Sequence, residues 1–137
     1  MEVMDPGALA SRLREVVGPS HVLTRPEDLV VYEQDAFLVA HASPELVVLP
    51  GSAAEVAAVV RLAREAGMPI IARGAGTGLN GGSIPVAGGL MVVLTRMNRI
   101  LSIDARSRLA VVEPGVVNVD LSAAAVRWTW RCSGRRR

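Results

Sequence analysis

Residues 73–82 read Arg-Gly-Ala-Gly-Thr-Gly-Leu-Asn-Gly-Gly, and this stretch is named the glycine loop. Five of the chain's thirteen glycines fall inside it. Because glycine loses more backbone entropy on folding than other residues, such a cluster has a steric purpose. Successive N–H groups without side chains can converge on an anion, with hydroxyl donors from Thr77 and Ser83 and a fixed positive charge from Arg73. The glycine loop is therefore predicted to bind a phosphate group, and a ligand-free flexible hairpin is the alternative.

The residues before the loop predict a strand–helix–strand unit. Residues 46–49 form a short apolar run that ends at Pro-Gly, which is typical of a buried strand. Ser52 and Glu55 form a capping box, and the helix that follows is predicted to bury one apolar face, made of Val56, Val59, Val60 and Ala63. Residues 69–72 predict a second buried strand. We expect a right-handed parallel crossover, which puts the glycine loop at the carboxyl edge of the strands, where α/β folds bind ligands.

The remaining sequence predicts further elements around that unit. A first helix is expected between Asp5 and Gly18, and a last helix from Asn118. Three apolar runs predict strands at residues 90–94, 101–103 and 109–112. The chain is therefore predicted to be α/β, with a small, mostly parallel sheet flanked by helices. Its expected parts are an N-terminal helical segment over residues 1–45, a ligand-binding lobe over residues 46–125 and a disordered basic tail over residues 126–137.

The sequence excludes two kinds of site that need a lysine and disfavours the dinucleotide-binding fingerprint. All fifteen basic residues are arginine, so the lysine of a Walker-type P-loop and that of a Schiff-base enzyme are both absent. Residues 76–81 satisfy G-x-G-x-x-G, but a dinucleotide-binding fingerprint must open a helix. Pro85, Gly88 and Gly89 follow too closely for a long helix to begin there. A cradle made by the loop alone, suited to a diphosphate, is the remaining interpretation.

Charge and composition narrow the class further. Residues 1–126 carry ten arginines against thirteen acidic residues, so the net charge of +2 comes from the last eleven residues. The body therefore offers no electrostatic basis for binding nucleic acid. The single cysteine, the absence of a signal-peptide pattern at the start and apolar runs too short to span a bilayer favour a cytoplasmic protein. His21 and His41 are isolated, so no metal site is predicted.

The glycine loop resembles the pyrophosphate loop of the FAD-binding domain shared by the vanillyl-alcohol oxidase and p-cresol methylhydroxylase superfamily. The resemblance covers roughly residues 25–125 and is closest to glycolate oxidase FAD subunits and D-lactate dehydrogenases. It is carried, besides the loop, by Tyr32-Glu33-Gln34-Asp35-Ala36, Val47-Val48-Leu49-Pro50, the Ala-rich helix, Met97-Asn98-Arg99-Ile100-Leu101 and Val112-Glu113-Pro114-Gly115-Val116.

The resemblance implies a fold, a cofactor and a set of contacts. The fold would be the first lobe of a two-lobed FAD-binding domain, with the FAD diphosphate held mostly by backbone N–H groups. The implied cofactor-binding residues are Arg73, Gly74, Ala75, Gly76, Thr77, Gly78, Leu79, Asn80, Gly81 and Gly82, with Gly115 as a second point of approach. A plain strand-ending turn is an equally good interpretation of Gly115. For Asp35, a helix-capping or solvated carboxylate is favoured over a functional role.

The implied activity is oxidation of a 2-hydroxy acid such as glycolate or D-lactate by transfer of a hydride to FAD. That chemistry needs a base for the hydroxyl proton and a cation for the carboxylate, which the resemblance places outside this stretch, so no catalytic residue is assigned here. We expect the hydroxy acid to bind only in the full-length parent, together with other oxidase subunits that would bring it to the inner membrane. The alternatives are an enolpyruvyl-sugar reductase type of flavoenzyme and a non-catalytic nucleotide-binding or interaction module.

The composition changes abruptly where the resemblance ends. Both tryptophans, the cysteine and five arginines lie in the last eleven residues. From about residue 126 the sequence is expected to be the translation of an aberrant reading frame. The alternative is a natural basic tail that contacts anionic lipid or nucleic acid.

Overall fold

The computed structural model describes residues 5–85 and 88–133, and the side chains of its last helix as far as Val126. The chain forms two compact units that meet in sequence at residue 97: the first ends at Arg96 and the second begins at Met97. These units do not follow the predicted boundaries at residues 46 and 126. The N-terminal segment is part of the first unit because its helix contributes to the same core as the strands.

The first helix, α1 (Pro6–Val17), begins and ends where the sequence predicts. The Asp5 carboxylate accepts a hydrogen bond from the Ala8 N–H at 3.2 Å, which satisfies one of the free donors of the first turn. The helix buries one apolar side, including Leu9 and Leu13, against the helix that follows the second strand.

A four-stranded sheet forms the centre of the first unit. Its strands are β1 (Val22–Leu23), β2 (Leu46–Val48), β3 (Ile70–Arg73) and β4 (Leu90–Val93), in the spatial order β1-β2-β4-β3. Strand β1 is antiparallel to β2, whereas β2 and β3 are both parallel to β4. The predicted parallel strand–helix–strand unit is therefore present, with β4 inserted between its two strands. A short helix, α2 (Pro26–Leu29), follows β1.

Strand β3 is less buried than predicted. It lies at the edge of the sheet, where it has a neighbour on one side, and Ile70 and Ala72 are exposed. Strands β2 and β4, which have neighbours on both sides, are buried along their whole length. The apolar run that predicts β3 does not distinguish an edge strand from a central one.

Helix α3 (Ala53–Glu65) crosses from β2 to β3 and buries a face that overlaps the predicted one only in part, at Val59 and Ala63. Its capping box is present: the Ser52 hydroxyl accepts from the Glu55 N–H at 3.2 Å, and the Glu55 carboxylate accepts from the Gly51 N–H at 2.8 Å. Val60, expected in the core, is 41% exposed. The buried side chains are Val59, Leu62, Ala63 and Ala66.

The second unit contains a hairpin and the last helix. Strands β5 (Ile100–Asp104) and β6 (Leu109–Val112) pair antiparallel, and the Asp104 carboxylate accepts from the N–H groups of Arg106 and Ser107 in the turn between them. Helix α4 (Asn118–Ser133) follows. The helix continues through residues 126–133, where a disordered tail was expected, because no proline or glycine interrupts the stretch before Gly134. Residues 134–137 lie outside the described residues.

Candidate functional site

The glycine loop leaves the carboxyl end of β3 and surrounds a concave cavity of about 310 Å³. Eight of its ten residues line this cavity, together with Asp35 and Ser83. Those eight are Gly74, Ala75, Gly76, Thr77, Gly78, Leu79, Asn80 and Gly82. The structure therefore brings most of the predicted binding residues to one cavity, at the strand edge that the parallel arrangement favours for ligands.

The backbone of the loop offers unused donors. Within the described chain, no N–H group of residues 75–80 donates to another protein group, whereas the next turn closes with a bond from the Ile84 N–H to the Gly81 carbonyl at 3.1 Å. A methyl group added at Gly74, Gly78 or Gly82 would meet no atom within 4 Å. The loop therefore combines N–H donors that have no protein partner with open space beside three of its glycines, which is what an anion needs for close approach to a backbone.

Two other glycines of the loop are required by the protein itself. Gly76 and Gly81 have φ of +72° and +69°, in the left-handed region that strains other residues. A Cβ at Gly76 would lie 2.6 Å from Cζ of Arg73, and one at Gly81 would lie 3.1 Å from the Phe37 ring. These two positions pack against neighbouring parts of the chain, and their predicted contacts with a cofactor stay predictions.

Arg73 lies beneath the loop and is not among the residues that line the cavity. Its side chain is buried, and Nη2 donates to the Gln34 carbonyl at 2.9 Å. Its guanidinium also sits 5.7 Å from the centre of the Tyr32 ring, within the range of a cation–π contact. Nη1 is buried and has no hydrogen-bond partner among the described residues. The charge predicted to stand beside the ligand is thus largely engaged with the protein.

Asp35 is a functional candidate that sequence reasoning missed. It was expected to cap a helix or face solvent, but it is only 7% exposed and lines the cavity. Its Oδ1 accepts from the Phe37 N–H at 2.8 Å, and its Oδ2 accepts from the Ser83 hydroxyl at 2.9 Å. The sole signal in the sequence was the family-like segment around Tyr32.

The electrostatics of Asp35 suit binding rather than proton abstraction. The Phe37 N–H, followed by the Ser83 hydroxyl and backbone and the charge of Arg73, lowers the pKa of Asp35 although burial opposes the shift. A carboxylate with a lowered pKa is a weak base. Since Asp35 is the one acidic side chain that lines this cavity in the described part of the chain, the cavity can bind and orient a ligand but holds no good general base.

Gly115 belongs to the second unit, in the turn after β6. Its N–H donates to the Met97 carbonyl at 2.8 Å. Nearby, the Glu113 carboxylate accepts from the Arg99 backbone N–H at 2.8 Å and from its guanidinium Nη2 at 2.7 Å. Two of the family-like segments, residues 97–101 and 112–116, are therefore paired with each other. These contacts give Gly115 a structural reason, and its predicted role toward a cofactor stays a prediction.

A family match and several relatives agree with the fold and with the position of the glycine loop. A family described as an FAD binding domain matches residues 44–130, which include the glycine loop and all of α3. An uncharacterised FAD-linked oxidoreductase of Mycobacterium tuberculosis is 40% identical over 120 residues, which cover 85% of this chain and 26% of the relative. Glycolate oxidase subunit GlcD of Escherichia coli is 36% identical over 121 residues, which cover 88% of this chain and 24% of the relative.

The solved structures agree. p-Cresol methylhydroxylase with bound substrate superposes with a TM-score of 0.79 at 27% identity, covering 90% of this chain and 25% of that protein. The fold and the family match thus define an FAD-binding domain. The chain belongs to the FAD-binding domains of the vanillyl-alcohol oxidase and p-cresol methylhydroxylase superfamily, whose cofactor is FAD. It spans about a quarter of the length of the relatives that it matches.

The described residues offer neither a metal centre nor a membrane-crossing helix. No group of three or more His, Cys, Asp or Glu side chains is arranged to hold a metal ion there. Among the helices of that part of the chain, none has both the length and the apolar character needed to cross a membrane.

Proposed function

We propose that the glycine loop, residues 73–82, binds the diphosphate of FAD in an enzyme that oxidises a 2-hydroxy acid such as glycolate or D-lactate. The observation that carries the proposal is the cavity at the end of β3. The loop that lines it has backbone N–H groups without a protein partner at residues 75–80, and open space beside Gly74, Gly78 and Gly82. FAD fits this cradle because its diphosphate is an extended anion that needs several donors at close range.

The roles of the loop residues differ under this proposal. Gly74, Gly78 and Gly82 let the backbone approach the phosphates, and the N–H groups of residues 75–80 donate to them. The hydroxyl of Thr77 supplies a further donor. Gly115 is proposed as a second position at which the backbone approaches FAD. When bound, FAD supplies the chemistry by accepting a hydride from the substrate carbon.

The substrate class comes from the relatives. GlcD is named as a glycolate oxidase subunit, and other relatives are named as D-lactate dehydrogenases. Because the described cavity holds no good general base, we propose that oxidation needs groups outside the residues described here. We also propose that the chain works in the cytoplasm with other oxidase subunits, which would bring it to the inner membrane.

Flavin titration of the full chain tests the cofactor proposal. Binding of FAD should change the flavin fluorescence, and Gly78→Ala and Gly82→Ala should each weaken it by about tenfold or more, because a methyl group then occupies the space of a phosphate oxygen. Both variants should keep the free energy of unfolding of the original chain in urea, since neither added methyl group meets protein atoms.

Two results would contradict the proposal. One is the absence of any change in flavin fluorescence at the highest soluble protein concentration. The other is wild-type FAD affinity in both alanine variants, which would place the diphosphate elsewhere. Val39→Ala serves as a control, because Val39 is exposed in the same unit and is not among the residues that line the cavity.

A further inference from the structure

We propose that Gln34, Asp35 and Ala36, the strap, hold the glycine loop in the conformation that binds a diphosphate, with Asp35 as the positioning residue. The proposal rests on the proposed function. Arg73 and Gln34 are 39 positions apart in the sequence, and Ser83 and Asp35 are 48 positions apart. The hydrogen bonds between these residues therefore form only in the folded chain.

Three hydrogen bonds attach the loop to the strap: one at the start of the loop, one in its middle and one just after its end. At the start, Nη2 of Arg73 donates to the Gln34 carbonyl at 2.9 Å. In the middle, the Ala36 N–H donates to the Gly76 carbonyl at 3.0 Å. Just after the end, the Ser83 hydroxyl donates to Oδ2 of Asp35 at 2.9 Å. A loop held at three points loses its freedom before any ligand arrives.

The middle bond sets the direction of a donor. In a trans peptide the C=O and the following N–H point in opposite directions. Because the Gly76 carbonyl points at the strap, the N–H of Thr77 points away from it. That N–H belongs to the run of donors with no protein partner, so the strap leaves it available to a ligand.

The contacts of the strap also offset the negative charge of Asp35. A carboxylate that lines an anion cavity repels a diphosphate unless its own charge is offset. Both oxygens of Asp35 accept hydrogen bonds, and Arg73 lies close enough to stabilise its charge. The buried Arg73 guanidinium therefore binds the strap and does not line the cavity.

The test uses two variants, their combination and a matched control. Asp35→Ala removes both acceptors of the strap carboxylate, and Ser83→Ala removes only its bond to the loop. Asp104→Ala is the control, because the Asp104 carboxylate likewise accepts two hydrogen bonds, from backbone N–H groups in a turn of the second unit. Each variant is examined for FAD affinity and, without FAD, for amide hydrogen exchange at Ala36.

Removal of either partner should loosen the loop. We expect Ala36 to exchange about tenfold faster in both single variants, and FAD to bind about tenfold more weakly, because a hydrogen bond to a charged group is lost. The double variant should bind FAD no more weakly than the weaker single variant, since both changes remove one link. Asp35→Asn should restore part of the affinity, because its amide can donate to the Ser83 oxygen. Asp104→Ala should match the original chain.

The outcomes separate this proposal from the cofactor proposal. Failure of the original chain to bind FAD would overturn the proposed function, while exchange at Ala36 would still test the strap. Unchanged exchange at Ala36 in both single variants would overturn the strap. Losses of FAD affinity that multiply in the double variant would overturn it as well, because Ser83 would then contact the ligand independently of Asp35. Should Asp35→Ala not fold, Ser83→Ala alone provides both measurements.

Discussion

At the scale of single residues, the glycines of the loop divide into two kinds. Gly78 and its open neighbours leave room for a ligand, whereas Gly76 adopts a positive φ directly over the Arg73 guanidinium. The distinction is physical, because the first kind matters only when a ligand is present and the second matters in the free protein. The repeated Gly-x-Gly pattern in the sequence does not separate them.

Gly76→Ala is predicted to destabilise the protein without any ligand. The added methyl group must adopt a left-handed backbone and displace Arg73, at a cost of about 1–3 kcal/mol for the backbone strain. Urea unfolding of the full chain measures the effect. Gly74→Ala is the control, because its methyl group meets nothing within 4 Å. Equal unfolding free energies for the two variants would contradict the assignment.

At the scale of elements, the hairpin of β5 and β6 depends on the ion pair of Arg99 and Glu113, named the clip. A two-stranded hairpin is marginally stable by itself, and Leu101, Leu109 and Val111 remain exposed on it. Arg99 and Glu113 join the two ends of the hairpin with three hydrogen bonds. The side chain and the N–H of Arg99 lower the pKa of Glu113 by favouring its charged form.

The clip predicts how the stability depends on pH. Since the pKa of Glu113 is lower in the folded chain, its contribution is fully present above the ordinary glutamate value of about 4.3 and is lost as the pH falls through the folded value. The difference in unfolding free energy between the original chain and Glu113→Gln should therefore shrink below that pH. Glu65→Gln, which breaks an exposed ion pair with Arg12, should show a smaller effect. A difference that grows on acidification would be inconsistent with the clip.

At the scale of the whole molecule, the core of the first unit joins parts that are distant in sequence. Leu9 and Leu13 of α1 share a cluster with Val59 of α3 and with Leu90 of β4, all fully buried. The loop is therefore anchored on a strand whose sheet is covered by the N-terminal helix. The predicted N-terminal segment is thus a structural part of the unit that carries the cradle.

Leu13→Ala is predicted to lower the free energy of unfolding by about 2–5 kcal/mol, because it leaves a cavity in this core. Chemical denaturation measures the loss. Val39→Ala is the matched control in the same unit: Val39 is 83% exposed, so its truncation should change the stability by no more than about 0.5 kcal/mol. A similar loss in both variants would mean that α1 does not contribute to the core as described.

Local signals in the sequence were sufficient for much of the fold and for the position of the glycine loop. Proline, glycine and capping residues set the limits of α1 and α3, since each acts on its own backbone. Apolar runs located β2 and β4, and the glycine density located the loop at the end of β3. These features depend on neighbours within a few residues, so a single sequence contains them.

The tertiary structure alone decided which face of α3 is buried, that β3 is an edge strand, and what Asp35 and Arg73 do. Helix α3 carries two overlapping apolar stripes with the same i, i+3, i+4, i+7 spacing, which share Val59 and Ala63, and packing selects the one that includes Leu62. Asp35 and Arg73 gain their roles from partners such as Ser83 and Gln34, tens of residues away. Such contacts leave no periodicity or local motif in the chain, because the partners meet only after the core has formed.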